Sequence, residues 1–235
     1  MSDGPEPDLP PAVRELPGPA RESLAELVAL LDSERRAPSA VRAPPDAWRV
    51  HVADSLSGLD FAELGAAGRI ADVGSGAGLP GLVLAVALRG ASVDLIESVA
   101  RKCEFIRRAA ERAGIENTRV ICERSETWAG GEGREAYGAV TARAVGRLST
   151  LAELASPLLR DGGVLVAWKG RRDSEEEDEL ARAAGRLAMQ PVEIRAVGPY
   201  AGSRHRHLHL IRKSGPTPQG FPRRPGIAKK RPLGK

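Results

Sequence analysis

Between Arg69 and Gly81 the chain reads Arg69-Ile-Ala-Asp-Val-Gly-Ser-Gly-Ala-Gly-Leu-Pro-Gly81. A short apolar run closes on Asp72. Gly74, Gly76 and Gly78 then alternate through a turn that opens a helix at Leu79-Pro80. Glycines there let the backbone turn tightly and approach a ligand where any Cβ would collide. Pro80 suits a first helical turn, and the free amides of such a turn can hold a polar or anionic group. A second apolar run, Ala91-Ser-Val-Asp-Leu-Ile-Glu97, ends on a carboxylate placed to accept both hydroxyl protons of a ribose. Strand, glycine turn, helix, strand and acid together describe a nucleoside-cofactor site.

Two ligand classes compete for it. Gly76-Ala-Gly-Leu-Pro-Gly81 fits the dinucleotide fingerprint G-x-G-x-x-G. Asp72 before the turn, the three alternating glycines and the following Pro80-Gly81 look like the first motif of class I S-adenosylmethionine methyltransferases, whose ligand has no pyrophosphate. Further on, Ser125 and Glu126 follow a third strand, and their amides could hold an adenine edge. Arg143 is the only charge on an otherwise apolar fourth strand. It falls at the switch point where open α/β sheets bind ligands. No Asp or Asn followed by Pro-Pro-aromatic stands at that strand end, which argues against methylation of an exocyclic amine.

The elements that must position these residues alternate. Strands are expected over Arg69–Val73, Ser92–Glu97, Arg119–Glu123, Ala136–Arg143 and Gly163–Trp168. Helices are expected over Leu79–Leu88, Val99–Ala113 and Leu148–Leu159, and the pattern predicts a parallel sheet covered on both faces. Ser174 is the expected cap of an acid-rich helix, Glu175–Leu187. Two closing strands, Val192–Val197 and Arg206–Ile211, have no helix between them and should pair antiparallel. The expected class is therefore α/β: a Rossmann-like, class I methyltransferase fold with a seven-stranded, mostly parallel sheet and an antiparallel last strand. Leu24, Leu27, Val28 and Leu31 predict an earlier amphipathic helix, and Val52, Leu56 and Leu59 a second. The expected divisions are a proline-rich disordered tail at 1–19, a helical segment at 20–60, the main domain at 61–214 and a basic tail at 215–235.

With 235 residues the chain can bury one full core. It contains no apolar run long enough for a bilayer and no signal-peptide pattern. Cys103 and Cys122 are its only cysteines and read as buried thiols; a cytoplasmic protein is expected. Net charge is +4, yet all ten Lys/Arg from Pro199 onward face no Asp or Glu in that stretch. Such a basic end points to a polyanion. Arg223, Arg224, Lys229, Lys230 and Arg231, set among prolines and glycines, would stay accessible to phosphates; the rival expectation is that the tail folds back over the cofactor site. His205, His207 and His209 alternate, but no nearby carboxylate or thiol completes a metal site, so no metal is expected.

Taken together the chain resembles the RsmG (GidB) family of bacterial 16S rRNA guanine-N7 methyltransferases. The resemblance rests on His51-Val-Ala-Asp-Ser-Leu56, the glycine motif, Arg101-Lys102, Arg124-Ser-Glu126, Thr141-Ala-Arg-Ala144, Trp168-Lys-Gly170, Arg206-His-Leu208 and the tail from Phe221 to Leu233. It implies S-adenosylmethionine as cofactor, held by Asp72, Gly74, Gly76, Gly78, Leu79, Glu97, Ser125, Glu126 and Arg143. It implies His51 and Asp54 near the reacting guanine. As RNA contacts it implies Lys169, Arg206, Arg223, Arg224, Lys229 and Lys230, with 16S rRNA or the small ribosomal subunit as partner and no membrane. Where the family usually carries Asn-Leu-Thr-Ala, this chain has Ala37-Pro-Ser-Ala40. That departure leaves a non-catalytic rRNA-binding protein as the alternative, with a nicotinamide enzyme as the third reading.

Overall fold

The computed structural model describes residues 9–33 and 47–235. Seven strands among them form one sheet: β1 (Arg69–Val73), β2 (Ser92–Ile96), β3 (Thr118–Ile121), β4 (Tyr137–Arg143), β5 (Leu159–Lys169), β6 (Met189–Ala196) and β7 (His207–Lys213). Their order is β3-β2-β1-β4-β5-β7-β6. The neighbours from β3 to β5 run parallel, while β7 lies antiparallel between β5 and β6. β1 and β4 are adjacent although two strands and three helices separate them in sequence, so the chain leaves the middle of the sheet in opposite directions. A crevice opens at the carboxyl ends of strands so arranged.

Alternation along each strand splits the apolar residues between two cores. On one face Ile70, Val93, Val166 and Leu208 pack with Leu24, Leu27, Val52, Leu82 and Phe105. On the other, Ala71, Val140, Leu165 and Ile211 pack with Leu151, Leu180 and Ala183. The helices that cover the faces are α1 (Pro11–Arg14), α2 (Gly18–Ser33), α3 (Asp54–Leu56), α4 (Ala62–Gly65), α5 (Gly81–Ala87), α6 (Ala100–Arg112), α7 (Ser125–Trp128), α8 (Leu148–Ala155) and α9 (Ser174–Ala184). A last turn, α10 (Ile227–Lys230), follows in the tail. A π-helical turn, Trp48–Ala53, runs directly into α3. No helix among the described residues is long and apolar enough to cross a membrane.

Several expectations need correction. Residues 9–19 are not a disordered tail: Pro11 starts α1, Val13 is fully buried, and Leu9 and Leu16 pack on the same core. The spacing of those three apolar residues is helical, and Pro11 at a first helical position is compatible with it. Residues 1–8 and the altered Ala37–Ala40 loop lie outside the described residues. The described parts of the 20–60 segment, 20–33 and 47–60, pack on the same core as one face of the sheet. Asp173, not Ser174, caps α9, its Oδ1 accepting from the amides of Glu175 and Glu176. Cys122 is exposed while Cys103 is buried, because Cys122 lies just past the end of β3.

Below the opposite edge of the sheet, Asp94 gathers Arg69, Arg119 and the Tyr137 hydroxyl, at 2.6 to 3.0 Å. The two guanidiniums and the phenol hold its carboxyl below the ordinary carboxylate range despite its burial. The cluster ties β1, β2, β3 and β4 together far from the crevice, and its role is stability.

Candidate active site

The crevice contains a cleft of about 540 Å³, within the roughly 300–1,000 Å³ typical of small-molecule sites. Gly74, Glu97, Val99, Ser125, Glu126 and Val145 are among its lining residues. The turn after β1 supplies the first wall. Gly74 has φ +68, and a Cβ there would stand 2.7 Å from Val145 Cγ2. Only glycine serves at this position, where the turn passes under the loop after β4.

Glu97 closes β2, as its position in the sequence required. Its Oε1 accepts from the amides of Ser98 (2.8 Å) and Val99 (2.9 Å), and its Oε2 from the amide of Gly76 (3.1 Å). Lys102 Nζ is 3.8 Å from Oε2. A carboxylate offers about four lone pairs, so Oε2 keeps acceptor capacity toward the cleft. Beside it, Val99 is 40% exposed, an apolar surface on which a purine can lie. A nucleoside fits this pair: hydroxyls to Glu97, ring over Val99.

Asp72, by contrast, does not line the cleft. It is fully buried, with Oδ1 accepting from Thr141 Oγ1 (2.9 Å) and Oδ2 from the Gly81 amide (3.3 Å). A Cβ on Gly81 would meet Asp72 and Leu95 side-chain atoms at 2.9 Å, so Gly81 is what lets the carboxylate reach α5. The chain thus places its own carboxylate at the amino end of α5, where a dinucleotide enzyme would seat pyrophosphate. An anion there would be repelled, and a ligand carrying positive charge is favoured. Gly78 is a packing residue, since a Cβ would strike Leu82 Cδ1 at 2.5 Å. Leu79 is buried, and the Gly76 amide reaches the site through Glu97. Asp72, Gly76, Gly78 and Leu79 therefore shape the turn, while Gly74, Glu97, Ser125 and Glu126 face the cleft.

Burial pushes the Asp72 carboxyl from its ordinary 3.8 up to about 6, against the lowering effect of Thr141, Ser75 and the Gly81 amide. The folded chain thus holds this proton more tightly than the unfolded chain. Stability falls as pH rises through about 4 to 6, and above that window the cost of a buried carboxylate is fully present, about 3 kcal/mol. Asp72→Asn should therefore be more stable than the parent at pH 8, by about 1–2 kcal/mol after allowing for weakened hydrogen bonds. The advantage should shrink at pH 4.5. Urea unfolding at the two pH values checks this, and an Asn variant less stable than the parent at pH 8 would contradict it.

A second, smaller pocket of about 200 Å³ adjoins the cleft, lined by Asp54, Arg143, Trp168, Lys169 and Arg206 among others. Ala144 lines both cavities and has φ +58, so the chain turns sharply just past β4 to separate them. Asp54 is the centre of the small pocket. Its Oδ2 accepts from Arg143 Nη1 at 3.0 Å, and Arg206 Nε lies 3.8 Å from Oδ1. Trp168 Nε1 donates to the Asp54 carbonyl at 2.7 Å. A Cβ on Gly58 would stand 2.4 Å from Trp168 Cζ2, so that glycine admits the indole. Arg143 belongs to this pocket and not to the larger cleft. His51 is buried on the π-helical turn and lines neither cavity. Lys169 Nζ donates to Glu176 Oε1 (2.6 Å) and to the Gly146 carbonyl (3.1 Å). A further cleft, of about 460 Å³ between α1 and the β6–β7 connection, is lined by none of the sequence-derived site residues.

The basic tail departs most from expectation. Arg223 makes a two-pronged ion pair with Glu153, both contacts at 2.5 Å, and Glu153 is buried. Its guanidinium is committed to the fold and is not an accessible phosphate contact. Gly226, Ala228, Lys229 and Lys230 line the larger cleft itself. Lys102, Val145, Thr150 and Leu154 also line it, and single-sequence reasoning had no signal for the last three beyond apolar or small residues at helical spacing. His207 Nδ1 lies 2.8 Å from the Gly170 carbonyl, and burial pushes His209 down to about 4, which keeps it neutral.

Comparison with known proteins agrees with this geometry. Residues 22–209 match the family model GidB, described as rRNA small subunit methyltransferase G. A protein of that name from Deinococcus radiodurans is 37% identical over 218 residues, covering 92% of this chain and 86% of the relative. One from Rubrobacter xylanophilus is 40% identical, covering 89% of this chain and 82% of the relative. Among solved structures, one named as a predicted O-methyltransferase from Agrobacterium tumefaciens is 27% identical with TM-score 0.53, covering 70% of this chain and 80% of that one. The Burkholderia thailandensis 1,6-didemethyltoxoflavin-N1-methyltransferase, solved with S-adenosylhomocysteine, shares the fold at 19% identity and TM-score 0.52, covering 85% of this chain and 92% of that one. With a methyltransferase fold, a glycine turn that carries its own carboxylate and a family match over most of its length, this chain belongs to the rRNA small subunit methyltransferase G (GidB) family.

Proposed function

We propose that the protein methylates N7 of a single guanine in 16S rRNA, using S-adenosylmethionine held in the cleft between Gly74, Glu97 and Glu126. The observation that carries this reading is the meeting of two cavities at Ala144. One has a ribose-binding acid and an apolar purine platform; the other is a small polar pocket. Bound S-adenosylmethionine supplies an electrophilic methyl group on a sulfonium. Guanine N7 has a lone pair and no proton, so no residue need act as a strong base. What the chain must do is hold acceptor and donor close and aligned, a contribution of several kcal/mol in well-oriented sites. Asp54 suits that pocket because a carboxylate there stabilises positive charge appearing on a purine. Arg143 and Arg206 fix its orientation and reduce its cost in the buried site. Arg206, with Arg224, Lys229 and Lys230, offers charge to the RNA backbone, and an rRNA substrate puts the working protein in the cytoplasm. The small ribosomal subunit is the form of the substrate we favour.

The test is incubation with methyl-labelled cofactor and small-subunit particles from a strain lacking this activity, followed by mapping of the label. Incorporation at one guanine, as a 7-methyl product, is expected. RNA binding without incorporation would instead support a non-catalytic role.

A further inference from the structure

The chain does not leave the body of the protein after β7. Lys213 is buried, its Nζ donating to Ser156 O (2.6 Å), Ser156 Oγ (2.8 Å) and Thr217 Oγ1 (3.0 Å). Thr217 N–H donates to Glu135 Oε1 at 2.6 Å. Beyond this anchor the segment crosses the mouth of the cofactor cleft. Arg223 seats on buried Glu153, Gly226 N–H donates to Glu126 Oε1 (2.7 Å), and Thr150 Oγ1 donates to the Ala228 carbonyl (3.3 Å). Leu233 is buried beyond it, and Arg182 Nε donates to the Gly234 carbonyl at 2.6 Å. This strap lies past residue 209, where the family match ends.

We propose that residues 221–234 form a strap whose inner side completes the S-adenosylmethionine cleft and whose outer side takes RNA phosphates, so that each ligand strengthens binding of the other. The proposal rests on the reading of the cleft as a cofactor site. Its inner side is the Gly226 amide on Glu126 and the buried Ala228, both walls of the cleft. Lys229 and Lys230 stand at the rim, lining the cleft yet exposed, and the outer side carries Arg224 and Arg231, also exposed. None of these four makes an ion pair with a carboxylate among the described residues. Holding four like charges along one short strap is a repulsive cost to the closed form, and phosphates remove it. A ligand enclosed by the strap favours the same closed form. Two ligands that favour one form raise each other's affinity by the same factor.

Limited trypsin digestion of the full chain, followed by mass spectrometry, tests the inner contact. Arg224 and Arg231 precede prolines, bonds trypsin leaves intact, so the strap's cleavable bonds follow Arg223, which is held on Glu153, and the exposed Lys229 and Lys230; the last two report on the strap. Saturating S-adenosylhomocysteine should slow those cuts about tenfold or more, because cleavage follows the open population. Cutting after the exposed Arg171 should not change. Calorimetry tests the coupling: a 16S rRNA fragment should tighten S-adenosylhomocysteine binding by about fivefold or more. In the Arg224→Ala/Arg231→Ala variant, whose altered positions do not line the cleft, this tightening should vanish. If S-adenosylhomocysteine binds yet the cuts after Lys229 and Lys230 keep their rate, or RNA leaves its affinity unchanged, the strap is not the coupling element. Absence of any S-adenosylhomocysteine binding would instead overturn the cofactor reading from which the proposal starts.

Discussion

Glu97→Ala should weaken binding of S-adenosylhomocysteine about a hundredfold. The carboxylate lines the cleft beside the apolar surface of Val99 and keeps acceptor capacity toward it. Two hydroxyls bonded to one charged acceptor are worth about 3 kcal/mol, given roughly 1.5–3 kcal/mol for a single bond to a charged group. The same carboxylate also collects the amides of Gly76, Ser98 and Val99, so the alanine variant loosens the turn as well. Glu97→Gln separates the two effects. It keeps one oxygen acceptor and nearly the same shape, and should lose about tenfold in affinity, with a melting temperature near that of the parent. Calorimetry with each variant reads the affinities directly. A Glu97→Ala protein that is folded and binds the ligand within about twofold of the parent would remove Glu97 from the ribose.

Asp54→Asn should lower kcat for rRNA methylation by about a hundredfold, near 3 kcal/mol of lost charge stabilisation, while S-adenosylhomocysteine affinity stays within about twofold. The separation follows from geometry. Asp54 lines the small pocket and not the cofactor cleft. The asparagine keeps the backbone carbonyl that receives Trp168 Nε1, so the pocket wall persists. It loses the charge paired with Arg143, and because that guanidinium is partly exposed the stability loss should be modest, about 1–2 kcal/mol. Single-turnover rates with enzyme in excess, with thermal unfolding of the same preparations, check both halves. A structural role alone would appear as a lower melting temperature with kcat per folded molecule intact.

The tail and the acceptor pocket explain each other. An enzyme whose substrate is a folded RNA has to bind a large polyanion at one face while enclosing a small cation-bearing ligand just behind it. Under the strap proposal the same segment from Phe221 to Gly234 would touch both tasks. Arg223, Ala228 and Leu233 anchor it to the body, while Arg224 and Arg231 are exposed.

The sequence by itself determined the seven strands, the longer helices and their order, though not short helices such as α1, α4, α7 and α10. Apolar alternation in β1, β2, β4 and β5, helical spacing in α2 and α6, and the missing helix between β6 and β7 depend on a few neighbouring residues, so local pattern carried them. It also placed Glu97 at the end of β2, because a carboxylate there follows from the apolar run before it, and Gly74 in the turn after β1, which takes a left-handed residue. What only the tertiary structure decided depends on contacts between residues far apart in sequence. Arg143 meets Asp54 across the mouth of the sheet, which no spacing reveals, and so it lines the small pocket and not the larger cleft. Arg223 looked like a free charge in a proline-rich tail until the fold brought buried Glu153 to it. Val13 was masked by the prolines around it until α2 and the sheet supplied a core to enter. Charge composition tells how many cations a segment holds. Which of them remain for a ligand is settled by the carboxylates the fold delivers, since a buried carboxylate must find a partner and takes the nearest guanidinium.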